Sequence, residues 1–273
     1  MTTNTTINSA ANPDLVNKIA SDAMALASQG ATVLALAPEI QLPSDTNVEL
    51  LGGIMDPFEG PITTAEVREL TGIDEEHISK ITDMGKALLT ILERATVSIG
   101  NQPADKDLLD SMYAGDRELL LLTIRKVTFG NEIKLGPAKC PKCDFEQVFV
   151  VNLDNDVPLK KLEGDREFIV NCKVGKVKVA LPTGRAQKAL VASNNRTSAE
   201  LDTVLLQNCV VSINDMPVVD AQVVRALSIK DRRDILKELV LRNPGPQLDE
   251  VKINCQSCDQ EVSLPLTLAD LFQ

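Results

Sequence analysis

Apolar residues recur along the chain at two spacings, near 3.6 and 2, and the alternation between them lays out its elements. Leu15, Ile19, Ala23 and Leu26 fall near one face of a helical pattern that opens at Pro13 and runs towards Gly30. Residues 48–55 read as a strand, and the Pro- and Gly-rich stretch 56–61 as a turn after it. Thr63 and Glu66 have capping-box spacing, which predicts a short helix over 63–70 that Gly72 ends. Asp74, Glu75 and Glu76 begin the next helix with acids in its first turn, where the dipole favours them. Ile78, Ile81, Leu88, Leu89 and Leu92 carry its apolar stripe to about Arg94. A strand follows at 97–100. Helical spacing then covers 104–128 with a break at 114–116, and 116–127 is the most hydrophobic helical stretch in the chain.

Strand-like sequence resumes at 132–135 and 145–151. Period-two alternation over 167–172 and 176–181, around Val174 and Gly175, predicts a hairpin. Helices are expected from Pro182 to 191, over 198–209 and over 218–227. Ser228 caps a last one over 229–241, which Pro244 stops.

The totals narrow the class. The 273 residues can bury a sizeable core in one or two domains. Aromatics make up 3%, with no Trp, so that core is aliphatic. A formal charge of −11 argues against a nucleic-acid face and against anionic membranes. No apolar run reaches the length of a membrane span, and the first residues lack the basic start of a signal peptide. Six cysteines are too few for a secreted disulfide scaffold, so the chain reads as cytosolic. Through residue 60 seven acids stand against Lys18 alone. That composition describes either a loosely ordered arm or one that orders on another subunit.

Chemistry concentrates in two motifs, Cys140-Pro141-Lys142-Cys143 and Cys255-Gln256-Ser257-Cys258. Strand-like sequence flanks each, and Asp144 or Asp259 follows the second cysteine, a residue that tolerates the left-handed conformation of a tight turn. Two such knuckles supply the four thiolates of a closed, structural zinc site. The gap between the pairs holds 111 residues, far more than the roughly 15–20 of a compact site, so a subdomain is inserted there. Two disulfides, or two unrelated loop thiols, are the other readings. A catalytic zinc keeps a position open for water and often uses His, and the one histidine, His77, sits among acids on a helix surface. Cys172 and Cys209 fall on apolar faces and read as buried free thiols. Asp154 and Asp156 mark a solvated turn. No phosphate-binding glycine loop, nucleophile elbow or triad is present.

The expected fold is therefore α+β. A mostly helical N-terminal region precedes a split four-cysteine zinc-ribbon domain with an inserted hairpin-and-helices subdomain. The boundaries are an extended or helical arm over 1–45, a small α/β region over 46–115, and the split domain over 116–273. Its ribbon covers about 131–153 and 248–266, with 154–247 inserted.

Several segments carry a family resemblance: 66–76, 115–130, Cys140–Cys143, Leu181-Pro182-Thr183-Gly184-Arg185 and 231–236. Together they resemble the baseplate hub assembly chaperone, or baseplate protein, family of T-even-type bacteriophages. The similarity runs from about Val48 to the C-terminus and is most specific over 116–154. It implies a non-enzymatic protein that helps to build, or belongs to, the central hub of the tail baseplate. Its partners would be other baseplate or tail-hub proteins, with no nucleic acid, membrane or small-molecule substrate. Its place would be the host cytoplasm during assembly, or the virion tail. The Cys pairs do not define that family, so one structural zinc per chain rests on spacing alone. The competing reading is a zinc-ribbon adaptor or regulator that contacts nucleic acid. It needs a basic face, and Lys142 is the one cation in either knuckle tip.

Overall fold

The computed structural model describes Lys18, Ser21 and residues 46–56, 60–193 and 196–272. Met1–Leu42 and Pro43–Gln273 form separate units. The 13–29 helix lies outside the described residues except for Lys18 and Ser21, both helical.

The second unit begins with an antiparallel sheet in the order β1 (Thr46–Asp56), β2 (Gly60–Val67), β3 (Thr96–Ile99) and β4 (Gln102–Pro103). Strand β2 stands where a helix over 63–70 was expected. Its β-branched Ile62, Thr63, Thr64 and Val67 suit a pleated backbone, and Ile62, Ala65 and Val67 are buried in the core beneath. Glu66 does not cap a helix but accepts a hydrogen bond from Ser98 Oγ on β3 at 2.9 Å. The capping box forms instead at Thr71 and Asp74, so Gly72 opens helix α1 (Gly72–Ile78) rather than closing one. A separate helix, α2 (Met84–Ala95), starts on the Asp83 cap.

Asp74 is fully buried and draws both flanking arginines onto itself. Arg68 Nη1 and Arg94 Nε each donate to its carboxylate at 2.7 Å. Burial alone would raise this carboxyl, yet hydrogen bonds from Arg68, from the Thr71 backbone and from Arg94 hold it well below the usual range. Its stabilisation is thus present above the ordinary carboxylate pKa and is lost as pH falls towards the depressed folded value.

After α3 (Lys106–Ser111), helix α4 (Ala114–Phe129) runs through the middle of the unit. Leu119, Leu120, Leu121 and Ile124 pack into the core of the first sheet. Leu122 joins a second core with Ile133, Val151, Leu153 and Val251, and Tyr113 at the helix start joins a third. The Asp116 carboxylate accepts the backbone N–H groups of Leu51, Gly52 and Gly53 at 2.7, 3.0 and 2.8 Å, which pins the middle of β1 to the helix.

Two hairpin strands follow, β5 (Glu132–Lys139) and β6 (Glu146–Asn152), then β7 (Leu159–Lys160), β8 (Glu167–Cys172) and β9 (Gly175–Ala180). Helices α5 (Gly184–Val191) and α6 (Ser198–Cys209) lead to β10 (Val210–Ile213) and β11 (Met216–Pro217). Helices α7 (Ala221–Ala226) and α8 (Ile229–Arg242) come next, α8 capped by Ser228 as the sequence predicts. The last strands are β12 (Gly245–Pro246), β13 (Lys252–Asn254) and β14 (Glu261–Ser263). The second four-stranded sheet has the order β11-β10-β9-β8, while β12-β7, β13-β14 and β5-β6 are separate pairs.

These five sheets overturn the expected fold class. The N-terminal region is built on a four-stranded sheet and is not mostly helical, because β-branched alternation in β2 outweighs a coincidental cap spacing. The hairpins β5–β6 and β13–β14 share no ladder among the described residues, so they do not form the sheet of one split ribbon.

Gly115 is where two distant segments meet. A Cβ there would lie 1.5 Å from the Pro244 carbonyl oxygen, a backbone atom that has no free end to swing aside. Gly115→Ala should cost about 3 kcal/mol and lower the melting temperature by roughly 6–12 °C. Gly72→Ala, where an added Cβ meets nothing within 4 Å, should leave it unchanged, and thermal melts of the two variants check both expectations.

Candidate metal centre

Each Cys-x-x-Cys motif closes a hairpin with the same pair of backbone hydrogen bonds. In the first, Cys140 N donates to Phe145 O at 2.9 Å and Asp144 N to Cys140 O at 3.0 Å. In the second, Cys255 N donates to Gln260 O and Asp259 N to Cys255 O, both at 2.9 Å. Asp144 and Asp259 take φ of 56° and 55°, the left-handed turn anticipated from their position.

The two tips face each other. Cys140 Sγ lies 3.8 Å from Cys258 Sγ, and Cys143 Sγ lies 3.7 Å from Cys255 Sγ. All four sulfurs fall within 4.8 Å of one another. Cys140 and Cys255 are buried with Phe149 and Val262, flanked by Leu135, Ile253 and Leu264, while Cys143 is exposed and Cys258 half-buried. The centre is thus rooted in a small apolar core and open to solvent at one corner.

Neighbouring dipoles and the sulfurs themselves set its electrostatics. Backbone N–H groups of Lys142 and Cys143 point at Cys140 and bring its thiol down to about 7. At Cys258 the Gln260 N–H favours the thiolate, but burial and the three surrounding sulfurs push it up to about 12. One thiol ionises readily and another resists, because four negative sulfurs this close repel one another until a cation sits between them.

A tetrahedral centre with metal–sulfur bonds of about 2.3 Å separates its ligands by about 3.8 Å. The paired sulfurs match that spacing, so the four cysteines are close enough to hold a metal ion. The described residues contain no other such group of cysteine, histidine or acidic side chains.

The remaining candidates take no part. Cys209 is buried and pushed up to about 12 by that burial, and Cys172 is half-buried. His77 is exposed on α1, its Nδ1 2.8 Å from Ile73 O. Asp154 meets Lys126 and Asn131, and Asp156 accepts the Asn152 N–H at 2.7 Å, which makes this a bonded turn.

One contributor was missed in the sequence. Gln147 is buried beside the site, accepts the Gln256 N–H at 3.0 Å and so ties β6 to the second knuckle. Its signal was phase, since Gln147 shares the inward-facing positions of Phe149 and Val151.

Four cysteine sulfurs gathered on amide-braced tips above an apolar root, within 4.8 Å of one another, are a donor set that could hold a metal ion between two distant parts of the chain. The class this defines is a structural body that carries a four-cysteine cluster. Residues 59–273 match the T4 bacteriophage base plate protein family, and the chain belongs to that family. No curated protein and no solved structure matches it significantly. Membership gives the chain a structural role in the baseplate of a phage tail, and no helix among the described residues is long and apolar enough to cross a membrane.

Elemental analysis of protein purified without chelators should find one metal ion per chain. Cys255→Ser should lose it, while Cys172→Ala and Cys209→Ala keep it. Loss of metal in the Cys172 or Cys209 variant, or metal-free wild-type protein, would remove the site.

Proposed function

We propose that the chain is a non-enzymatic component or assembly chaperone of the baseplate hub, stapled by one structural zinc on Cys140, Cys143, Cys255 and Cys258. The observation that carries the baseplate role is the family match over 59–273. For zinc, the support is the donor set, since four cysteine sulfurs within 4.8 Å of one another, two pairs of them at 3.7 and 3.8 Å, suit a borderline-soft ion with no redox chemistry of its own.

Bound zinc would supply a cross-link. Cys140 and Cys255 hold it from the buried side and Cys143 and Cys258 from the exposed side. The knuckle amides orient the sulfurs, and Phe149 and Val262 shield the inner pair. Because the unfolded chain has no preformed site, the free energy of metal binding becomes folding free energy. It goes into holding the β5–β6 and β13–β14 hairpins in one relative position, so the protein presents a defined shape to its neighbours.

Those neighbours are other baseplate or tail-hub proteins, met in the host cytoplasm during assembly and then in the virion tail. The acidic arm over 1–45 is the proposed contact, because its composition suits an arm that orders on another subunit and it lies outside the matched region. A chain lacking residues 1–45 should fold and load one zinc but fail to enter baseplates when it replaces the full-length protein. Infectious particles at normal yield from that truncation would move the partner site onto the body.

A further inference from the structure

Among the described residues, both sulfur–sulfur contacts at hydrogen-bonding distance cross the gap between the knuckles. Cys143 Sγ meets Cys255 Sγ at 3.7 Å, and Cys140 Sγ meets Cys258 Sγ at 3.8 Å. A disulfide bond of about 2.05 Å would need each pair to close by only about 1.7 Å. The same four sulfurs that could share a metal are therefore also placed to bond to each other.

Contacts other than sulfur keep the tips face to face. Gln147 Oε1 on β6 accepts the Gln256 N–H at 3.0 Å, and Lys142 Nζ donates to Gln260 Oε1 at 3.1 Å. Each of these bonds joins one hairpin to the other, and Phe149 and Val262 pack in one small core beneath them. Sulfurs that no longer share a metal therefore stay opposite their partners across the gap.

Each crossing pair joins an open sulfur to a sheltered one. Cys143 is exposed and Cys255 buried, while Cys258 is half-buried and Cys140 buried. An oxidant from solvent reaches the open member first, and the sheltered member stands in contact to resolve it. Quick resolution by a neighbouring thiol stops oxidation at the disulfide and short of the irreversible acids.

We propose that the four cysteines are an oxidation site as well as a donor set. A peroxide converts them to two disulfides, Cys143–Cys255 and Cys140–Cys258, which release the metal and keep the two hairpins joined. The Cys143 thiolate attacks the peroxide and its O–O bond breaks. One oxygen stays on sulfur as a sulfenic acid, and the other leaves as hydroxide and takes a proton to become water. The Cys255 thiolate then attacks that sulfur. The S–O bond breaks, the S–S bond forms, and a second hydroxide leaves and is protonated. The pair loses two electrons and the peroxide gains them; a second peroxide does the same at Cys258 and Cys140.

Metal release rests on the zinc reading, whereas the disulfide pairing rests on the sulfur contacts and the two ties. On the baseplate reading the chain passes from a reducing cytoplasm to a virion in oxidising surroundings. One cluster then closes the same point in both, by metal in the first and by disulfides in the second.

The test treats full-length protein, purified without chelators, with two molar equivalents of hydrogen peroxide. Four thiols should disappear and one zinc ion should enter solution. Non-reducing gels should show a faster band, because links spanning 118 and 112 positions close a long loop and links inside a motif do not. Trypsin, which cuts after Lys142 between the first two cysteines, should leave both of them joined to the peptide that carries Cys255 and Cys258. Reduction with a dithiol should restore the thiols and the uptake of one added zinc. The Cys143–Cys255 link in Cys140→Ser/Cys258→Ser should form at least tenfold faster than the diagonal link in Cys140→Ser/Cys255→Ser; equal rates would overturn the pairing. Disulfides inside either motif, sulfinic or sulfonic acids in their place, or thiols that survive two equivalents would overturn the proposal and leave the zinc reading standing. Both crossing links in protein that carried no metal from the start would sustain the oxidation site and defeat the zinc reading.

Discussion

Four sulfur atoms within 4.8 Å of one another join two hairpins whose motifs stand 111 residues apart in the chain. Much of the second unit depends on that closure. A two-stranded hairpin is marginal by itself in water, and the site's own apolar root is only Cys140, Phe149, Cys255 and Val262 with its flanking aliphatics. The hairpin tips meet at the sulfurs, while Ile133, Val151 and Val251 at their bases share a core with Leu122 of α4. Everything between Asp144 and Asn254 therefore leaves from one point and returns to it. The chain-entropy cost of such a long loop grows only slowly with its length, so a point that could be closed by a metal ion is a workable anchor for a large insert.

Helix α4 is the second constraint, and it acts from the other end. Its N-terminal turn has no room for a side chain at Gly115, since Pro244 and Gly245 press on the backbone there. One residue later Asp116 holds β1, and Arg117 reaches Leu109 O at 2.6 Å and Gln187 Oε1 at 2.7 Å. The first sheet, the inserted helices and the segment returning to the second knuckle are all referred to this one turn. A second unit whose parts share one reference turn suits the structural baseplate role that family membership gives the chain.

The sequence was most legible where chemistry is local. The knuckles, their left-handed aspartates, the β8–β9 hairpin and the Ser228 cap each follow from a few adjacent residues. It misled where one short pattern supported two structures. Thr63 and Glu66 have a cap's spacing, but Ile62, Ala65 and Val67 are the buried positions of a strand, and burial of that face won. The true cap, Thr71 with Asp74, was hidden because its Asp is also engaged by two arginines from different elements. Other features were illegible for want of any local signal. Nothing near Gly115 announces Pro244, and nothing near Asp116 announces the amides of Leu51–Gly53. The sulfurs' meeting was readable, but the sheet arrangement around them was not, because four donors constrain a point and leave the strand pairing free.

The central claim is that a zinc ion, bound by sulfur alone, makes the closure. X-ray absorption at the zinc edge, on full-length protein purified without chelators, reports the ligand shell directly. The account predicts a single shell of four sulfurs at about 2.3 Å. A shell containing nitrogen or oxygen, or fewer than four sulfurs, would contradict it.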